Sequence, residues 1–216
     1  MIVLALDGAF GAFSAAVARD ERVVASRSEP GAVALERGLA LAAQAMDDAR
    51  VGPAQIDRLA VGTGPGGFTG LRIAVTYAKS LAAAWERPLV PVDSFDILEY
   101  GRAFESVLSV VVGRPGVISA RYRRGSESRR ASGRIGEVLD ALFAESGTRT
   151  LDVLGAPEDV LHALAERALV VRSVDPLVTP AAAAAALAAA SRAPAPSPHQ
   201  VRADYGELPA AKPPRL

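Results

Sequence analysis

The alternation of hydrophobic and polar positions along the first hundred residues predicts five strands and three helices. Short apolar runs between turn residues indicate strands, whereas apolar residues recurring every three or four positions indicate helices. The predicted strands are residues 2–7, 12–19, 22–28, 57–63 and 88–92. The predicted helices are residues 33–50 and 69–85, followed by a third helix that Ser94 would cap. This order is typical of a mixed sheet with helices on both faces.

The second half of the chain repeats the same order of elements in a weaker form. Strands are predicted at residues 107–112, 117–123, 127–132, 150–154 and 168–172. Helices are predicted at residues 136–145, 158–167 and 181–190. The repetition predicts two pseudo-duplicated lobes, at residues 1–104 and 105–192, and a proline-rich linker and tail at residues 193–216.

Composition and charge exclude several classes of function. Half of the 216 residues are hydrophobic, which is enough to bury a substantial core. The 24 basic residues balance 24 acidic ones, so no global charge would hold RNA or a membrane surface. There is no cysteine, and His162 and His199 form no metal-binding pair, so we expect no metal site.

Neither apolar run that could be mistaken for a targeting or membrane segment has the required form. The N-terminal run ends at Asp7 and lacks a basic start, so it predicts a buried strand instead of a signal peptide. The run from Ala181 to Ala190 is about half the length that a membrane span needs. We therefore expect a cytoplasmic protein without membrane contact.

Residues 64–72, Gly-Pro-Gly-Gly-Phe-Thr-Gly-Leu-Arg, carry the strongest motif in the chain. This glycine turn lies between a predicted strand and a predicted helix, where backbone N–H groups can point at an anion. In a fold of two halves the ligand cleft lies between them, and the turn after the first strand, residues 7–11, would face it together with the glycine turn. The candidate anion-binding residues are Asp7, Gly8, Gly64, Gly66, Gly67 and Thr69. The string matches neither the P-loop nor the dinucleotide fingerprint, so a plain tight turn is the alternative.

The same nine residues resemble the GPGSFTGLR signature of the TsaB (YeaZ) family, with Gly67 where that family most often has serine. The resemblance covers about residues 1–100 well and the rest only in the order of elements. It implies an α/β, ribonuclease-H-like fold of the kind found in actin, Hsp70 and sugar kinases (ASKHA), with two pseudo-duplicated lobes built on mixed sheets. It also implies glycoprotease-like (peptidase M22-like) relatives.

The resemblance further implies a non-catalytic subunit of the complex that forms threonylcarbamoyladenosine next to the anticodon of ANN-decoding tRNAs. TsaB proteins bind and stabilise the transferase TsaD and work with the ATPase TsaE, or form a homodimer when TsaD is absent. They use two helices for this contact, which implies an interface at Leu35, Leu39, Ala42, Met46, Leu71, Arg72, Val75, Tyr77 and Ala78. The family implies no cofactor of its own, a nucleotide at most at the complex interface, and tRNA contact only through the complex.

Asp7 leaves an alternative open. A carboxylate at the end of the first buried strand could hold magnesium or a phosphate-linked water, as in nucleotide-binding proteins of this fold, or accept hydrogen bonds within its own turn. Gly8, Ala9 and Phe10 follow it, where the resembling family often has hydroxyl-bearing residues. The chain could therefore also be an independent ATP-dependent kinase or a metallopeptidase-like enzyme of the same superfamily, although it lacks the histidine pair of TsaD.

Two further segments carry weaker expectations. The arginines between Arg121 and Arg134 could touch RNA phosphates or blunt a solvent-facing edge strand. Arg72 lies in the first turn of a predicted helix, where the helix dipole disfavours a cation. This suggests a carboxylate partner, either Asp7 or a residue across an interface; the alternative is that the side chain points to solvent. The tail after the prolines is expected to dock on the body through Val201, Tyr205 and Leu208.

Overall fold

The secondary structure comes from a computed structural model, which describes residues 1–31, 36–144 and 147–206. The first sheet contains β1 (Ile2–Asp7), β2 (Ala12–Arg19), β3 (Arg22–Pro30), β4 (Arg58–Gly64) and β5 (Leu89–Asp93). The second sheet contains β6 (Ser106–Arg114), β7 (Val117–Arg124), β8 (Glu127–Arg134), β9 (Thr150–Leu154) and β10 (Val170–Val174). The helices are α1 (Gly38–Asp48), α2 (Phe68–Ala84), α3 (Ser94–Glu99), α4 (Ile135–Phe143), α5 (Glu158–Glu166) and α6 (Pro180–Ala190).

Both sheets have the same strand order. The first sheet runs β3-β2-β1-β4-β5, and the second, read in the matching direction, runs β8-β7-β6-β9-β10. In each sheet the first three strands pair antiparallel, and the last two run parallel to the first. This duplicated mixed sheet is the ribonuclease-H-like, ASKHA arrangement, so the predicted fold class is confirmed. The lobe boundaries themselves stay a prediction.

The predicted elements agree with the observed ones to within a few residues, with one local correction. Ser94 does not cap α3, because the preceding Asp93 does: its carboxylate accepts a hydrogen bond of 2.8 Å from the N–H of Phe95. Aspartate is as good a helix cap as serine, so the two neighbours could not be separated by type alone. The first positions of the helix predicted from residue 33 lie outside the described residues.

Alternate residues of the first sheet face two different layers. Leu4 and Leu6 of β1 pack against α1 and α2, whereas Val3 and Ala5 pack against α6. The sequence order suggested that α6 belongs with the second lobe, yet it contacts β1, β2 and β4 of the first sheet. Its alanine side chains are short on every side, so it can lie close to a face of the sheet that is itself lined with small residues. In the part of the chain that the structure describes, no helix is long and apolar enough to cross a membrane.

The second sheet is covered by α4 and α5 on one face. Its other face meets α3, because Phe95 and Leu98 pack against Val107, Val111 and Leu154. Helix α3 therefore belongs to the first half of the sequence but lies between the two sheets.

A buried cluster of charged side chains joins α3 to the second sheet. Glu99 is only 6% exposed and accepts a hydrogen bond of 2.6 Å from the hydroxyl of Ser109. The same carboxylate lies 3.0 Å from the guanidinium of Arg121 and 2.7 Å from that of Arg123. Two arginines of β7 therefore neutralise one glutamate that water barely reaches, which is how a buried charge is tolerated.

The same contact continues at the start of α3. Arg121 also donates to Asp96 over 2.7 Å, and Arg130 of β8 donates to Asp93 over 2.7 Å. The ring of Phe95 lies against both guanidinium groups, at 5.3 Å and 5.2 Å, which is within cation–π range. Neither interpretation of the arginine run fits Arg121, because that side chain is buried between the lobes, and β7 is not an edge strand.

Replacing Arg121 by methionine should lower the free energy of unfolding by about 3 kcal/mol, because it leaves the buried Glu99 short of a cation. The matched control is Arg172→Met, which removes the pair with Asp152 where the arginine is 74% exposed; a loss of about 1 kcal/mol or less is expected. Urea unfolding of both variants measures the difference. Equal losses would show that the buried cluster stabilises the fold no more than an exposed pair does.

Candidate functional site

The glycine turn between β4 and α2 lies directly on the turn between β1 and β2. A Cβ atom on Gly70 would lie 1.9 Å from the carbonyl oxygen of Gly8, and one on Gly66 would lie 2.6 Å from the Cβ of Ala9. The N–H of Gly67 donates a hydrogen bond of 2.9 Å to the carbonyl of Ala9. The turn is rich in glycine because two main chains touch where side chains would collide.

The six candidate anion-binding residues are only partly brought together. Gly8 and Gly66 are buried against the facing turn, and the N–H of Gly67 is satisfied by a carbonyl oxygen. The two turns are in contact, so no space for an anion is left between them. Thr69 is exposed on the outer side of α2. Gly64 is buried under the C-terminal tail, with its φ at +110°.

Asp7 is fully buried at the end of β1. One carboxylate oxygen accepts a hydrogen bond of 3.0 Å from the N–H of Ala9, as the structural alternative predicted. The other oxygen has no hydrogen-bond partner among the described residues. It lies over Gly62, where a Cβ would approach to 1.8 Å, so glycine makes room for the carboxyl group. Burial raises the pKa of Asp7 to about 7, because the charged form loses its hydration there.

Phe10 places an apolar ring in the turn that follows Asp7. It is half-buried and packs both on the layer that contains α6 and on the cluster formed by α3 and β6. Within the described residues, no three His, Cys, Asp or Glu side chains are close enough to hold a metal ion. The end of β1 and the turn after it therefore carry one fully buried carboxyl group and a half-buried aromatic ring.

The C-terminal tail, residues 198–206, covers the glycine turn from the other side. The N–H of Asp204 donates a hydrogen bond of 2.6 Å to the carbonyl of Thr63. A Cβ on Gly64 would lie 2.0 Å from the carbonyl oxygen of Asp204, so this glycine is also required by a main-chain contact. No local signal in the sequence marks this pairing, because the partners are far apart along the chain.

Side chains also dock the tail on α2. Val201 is buried in the core beneath α2, and the ammonium group of Lys79 donates to the carbonyls of His199 and Val201 at 3.4 Å and 3.2 Å. The ring of Tyr205 lies 4.8 Å from that of Phe68. The predicted docking through Val201 and Tyr205 agrees with these contacts, whereas Leu208 lies outside the described residues.

The predicted interface residues divide into buried and exposed sets. Five of them face the first sheet of their own chain and are at most 7% exposed: Ala42, Met46, Leu71, Val75 and Ala78. For these five the structure contradicts the prediction, because the apolar stripe of each helix is used to cover the sheet. Leu39 and Arg72 are exposed and Tyr77 is half-buried, while Leu35 lies outside the described residues.

A different set of residues forms the solvent side of the two helices. This outer face consists of Leu39, Ala40 and Ala43 of α1 and Ile73, Thr76, Tyr77 and Ser80 of α2. The helices approach each other closely, since a Cβ on Gly38 would lie 2.9 Å from the ring of Tyr77. The sequence prediction missed most of this face, because its small residues carry little hydrophobic signal. It also missed Phe68, which is 53% exposed at the start of α2.

Comparison with known proteins agrees with this fold and this motif. A family model described as TsaD, tRNA N6-adenosine threonylcarbamoyltransferase, matches residues 35–158, more than half of the chain. The solved structure of YeaZ from Pseudomonas aeruginosa has the same fold, with a TM-score of 0.73 over 94% of this chain and 99% of that chain, at 24% identity. The chain belongs to the TsaD family, and it resembles the TsaB (YeaZ) proteins in part of its sequence and in its fold.

Two curated relatives show the extent of the sequence match. The tRNA threonylcarbamoyladenosine biosynthesis protein TsaB of Bacillus subtilis is 36% identical over 67 residues, 31% of this chain and 29% of that protein. Protein Mb3455c of Mycobacterium bovis is 31% identical over 169 residues, 72% of this chain and 72% of that protein. The chain spans less than half of the length of the first curated relatives that it matches. The family resemblance inferred from the glycine turn is confirmed.

The main-chain contact predicts unequal costs for two substitutions in the TsaB motif. Gly70→Ala should lower the free energy of unfolding by about 3 kcal/mol, because its Cβ meets backbone that cannot move aside. Gly67→Ser, which restores the residue usual in the family, should be nearly neutral, since the nearest atom to a Cβ there is 3.7 Å away. Thermal and urea unfolding measure both. A neutral Gly70→Ala would refute the contact between the turns.

The buried carboxyl group of Asp7 predicts a stability that depends on pH. The pKa of Asp7 in the folded protein, about 7, lies above its value in the unfolded chain. The contribution of protonated Asp7 to the free energy of unfolding is therefore complete below about pH 4 and is lost as the pH rises through 7. The loss is roughly 4 kcal/mol, from about three pKa units at 1.4 kcal/mol each. Urea unfolding between pH 4 and pH 8 should show a flatter profile for Asp7→Asn than for the wild type. Identical profiles would mean that Asp7 is not held in its neutral form.

Proposed function

We propose that this chain is a non-catalytic TsaB-like subunit that binds and stabilises a TsaD-like transferase in the complex that forms threonylcarbamoyladenosine in ANN-decoding tRNAs. The observation that carries this proposal is the outer face of α1 and α2. One side of each helix covers the first sheet, and apolar and small side chains face solvent on the opposite side of each helix.

The composition of the outer face suits a second pair of helices. Ala40, Ala43 and Ser80 are small and exposed, so a partner helix can come close to both backbones. Leu39, which is 46% exposed, and the half-buried Ile73 supply apolar area between them. Contiguous apolar surface of this kind on a soluble protein marks a contact site.

The residues around the end of β1 support a role without catalysis. The two turns that would cradle a phosphate are packed against each other, and Phe10 in the first of them is an aromatic residue that packs on α3 and β6. The single carboxyl group there is kept largely neutral at low and moderate pH by burial. A kinase or a metallopeptidase would need phosphate-binding hydroxyls or metal ligands at this position, and the residues that follow Asp7 supply neither.

The remaining features of the proposed complex follow from the family. TsaE would act as its ATPase, a second copy of the chain would occupy the outer face when TsaD is absent, and tRNA would be reached only through the complex. Any nucleotide would lie at the interface between subunits. Titration with ATP and magnesium distinguishes the rival function, because micromolar binding with turnover by the chain alone would identify an independent enzyme.

Placing charge on the α1 part of the outer face should weaken the complex by about 30-fold or more, the size expected at the centre of an interface. Leu39→Asp and Ala43→Glu are suitable because both side chains are exposed and their loss leaves the core intact. The control is Val170→Asp, an apolar residue that is 64% exposed on β10 of the other sheet. Titration calorimetry with the cognate TsaD-like protein measures the affinities. Unchanged affinity in both α1 variants would refute the proposed interface.

A further inference from the structure

A groove lies between α2 and the C-terminal tail, next to the outer face. Its volume is about 480 Å³, and its main lining residues are Arg72, Val75 and Lys79 of α2 with Val201, Arg202 and Tyr205 of the tail. No aspartate or glutamate lines it among the described residues. The groove is thus bordered by three cations around a floor of two buried valines.

The positive charge of the groove is not compensated within the described part of the chain. No described carboxylate forms an ion pair with Arg72 or Arg202. Lys79 donates to two neutral carbonyl groups, which satisfy its hydrogen bonds without removing its charge. In the cluster between the lobes, in contrast, Arg121, Arg123 and Arg130 each have a carboxylate within 3.0 Å.

Arg72 is held at the mouth of the groove by aromatic side chains. Its guanidinium lies 4.9 Å from the centre of the Phe68 ring, and that ring packs on Tyr205. Arg72 is the fifth residue of α2, which begins at Phe68. Lys79 and Arg202 line the same groove, and because these like charges repel one another, an anion supplied from outside the chain would be stabilised there.

A protein segment suits this groove better than a nucleic acid. Beside the cations, Phe68 is exposed and Tyr205 is half-buried, so aromatic surface lies next to the positive charge. This matches a helix or strand with carboxylates on one side and apolar residues on the other. Three cations on a chain of zero net charge would give little affinity for a polyphosphate backbone. Thr76 borders both the groove and the outer face, so one partner can cover the two surfaces together.

We infer that the groove accepts an acidic, amphipathic segment of the TsaD-like partner, with its carboxylates paired to Arg72, Lys79 and Arg202. This inference rests on the proposed function and adds a second contact to it. The tail is then part of the binding surface, because it supplies one wall of the groove and one of its cations. Complementary charge of this kind sets specificity and the rate of association.

The test is a double charge reversal, Arg72→Glu with Arg202→Glu, assayed against the cognate TsaD-like protein by titration calorimetry. At about 50 mM salt, where screening is weak, the double variant should bind about tenfold or more weakly. The difference should shrink at about 300 mM salt. The control is Arg22→Glu, an exposed arginine of β3 on the opposite edge of the first sheet, which should bind within about twofold of the wild type. Circular dichroism melting checks that each variant is folded.

Other outcomes separate this inference from the proposed function. Wild-type affinity in the double variant, together with loss of binding in Leu39→Asp, overturns the groove and keeps the interface on the outer face. Wild-type affinity in the double variant and in Leu39→Asp overturns the groove and the interface on the outer face together. Unchanged partner affinity with weaker binding of tRNA by the complex assigns the groove to phosphates and overturns the inference. If the double variant does not fold, Arg72→Gln with Arg202→Gln, which only neutralises two exposed side chains, should still weaken partner binding about fourfold, and binding within the range of the control would overturn the inference.

Discussion

Gly8 and Gly70 meet through their main chains, and this contact fixes where α2 begins relative to the first sheet. At the same place the carbonyl of Ala9 accepts a hydrogen bond from the N–H of Gly67, so the start of the helix is held by a hydrogen bond as well as by packing. Each surface of α2 described above depends on that position. The stripe of α2 that covers the sheet, the face that it leaves to solvent and the side against which the tail lies all follow from one helix orientation.

The contact also explains why a motif that looks like a phosphate cradle need not bind phosphate. Backbone N–H groups at a helix start attract an anion only when the space in front of them is open to it. Here a carbonyl oxygen and a second turn fill that space.

The two lobes are held together by Glu99 and its two arginines. A buried ionic contact of this kind allows little relative movement of the lobes, since separating the partners would leave a buried charge without its counter-ion.

The strands could be predicted well from the sequence because the spacing of hydrophobic residues indicates which positions are buried in a sheet. It did not separate the two sides of α2, since Val75 and Ile73 are equally apolar and only the location of the sheet decides which one is buried. The site residues were therefore predicted less well than the fold. The role of Arg121 was not predicted for a related reason: Arg121 lies on β7, its partners Asp96 and Glu99 lie on α3, and no spacing rule links them. The pairing of Thr63 with Asp204 is likewise a long-range contact.

Helix α6 has a consequence for how the molecule assembles. It forms the second cover of the first sheet, yet it is encoded after every strand of both sheets. While the polypeptide is being made, the side of the sheet that carries Val3, Ala5 and Asp7 has no such layer until all strands of both sheets have been synthesised. The two lobes repeat one pattern but are not two independent folding units, because the earlier lobe is completed by the later part of the chain.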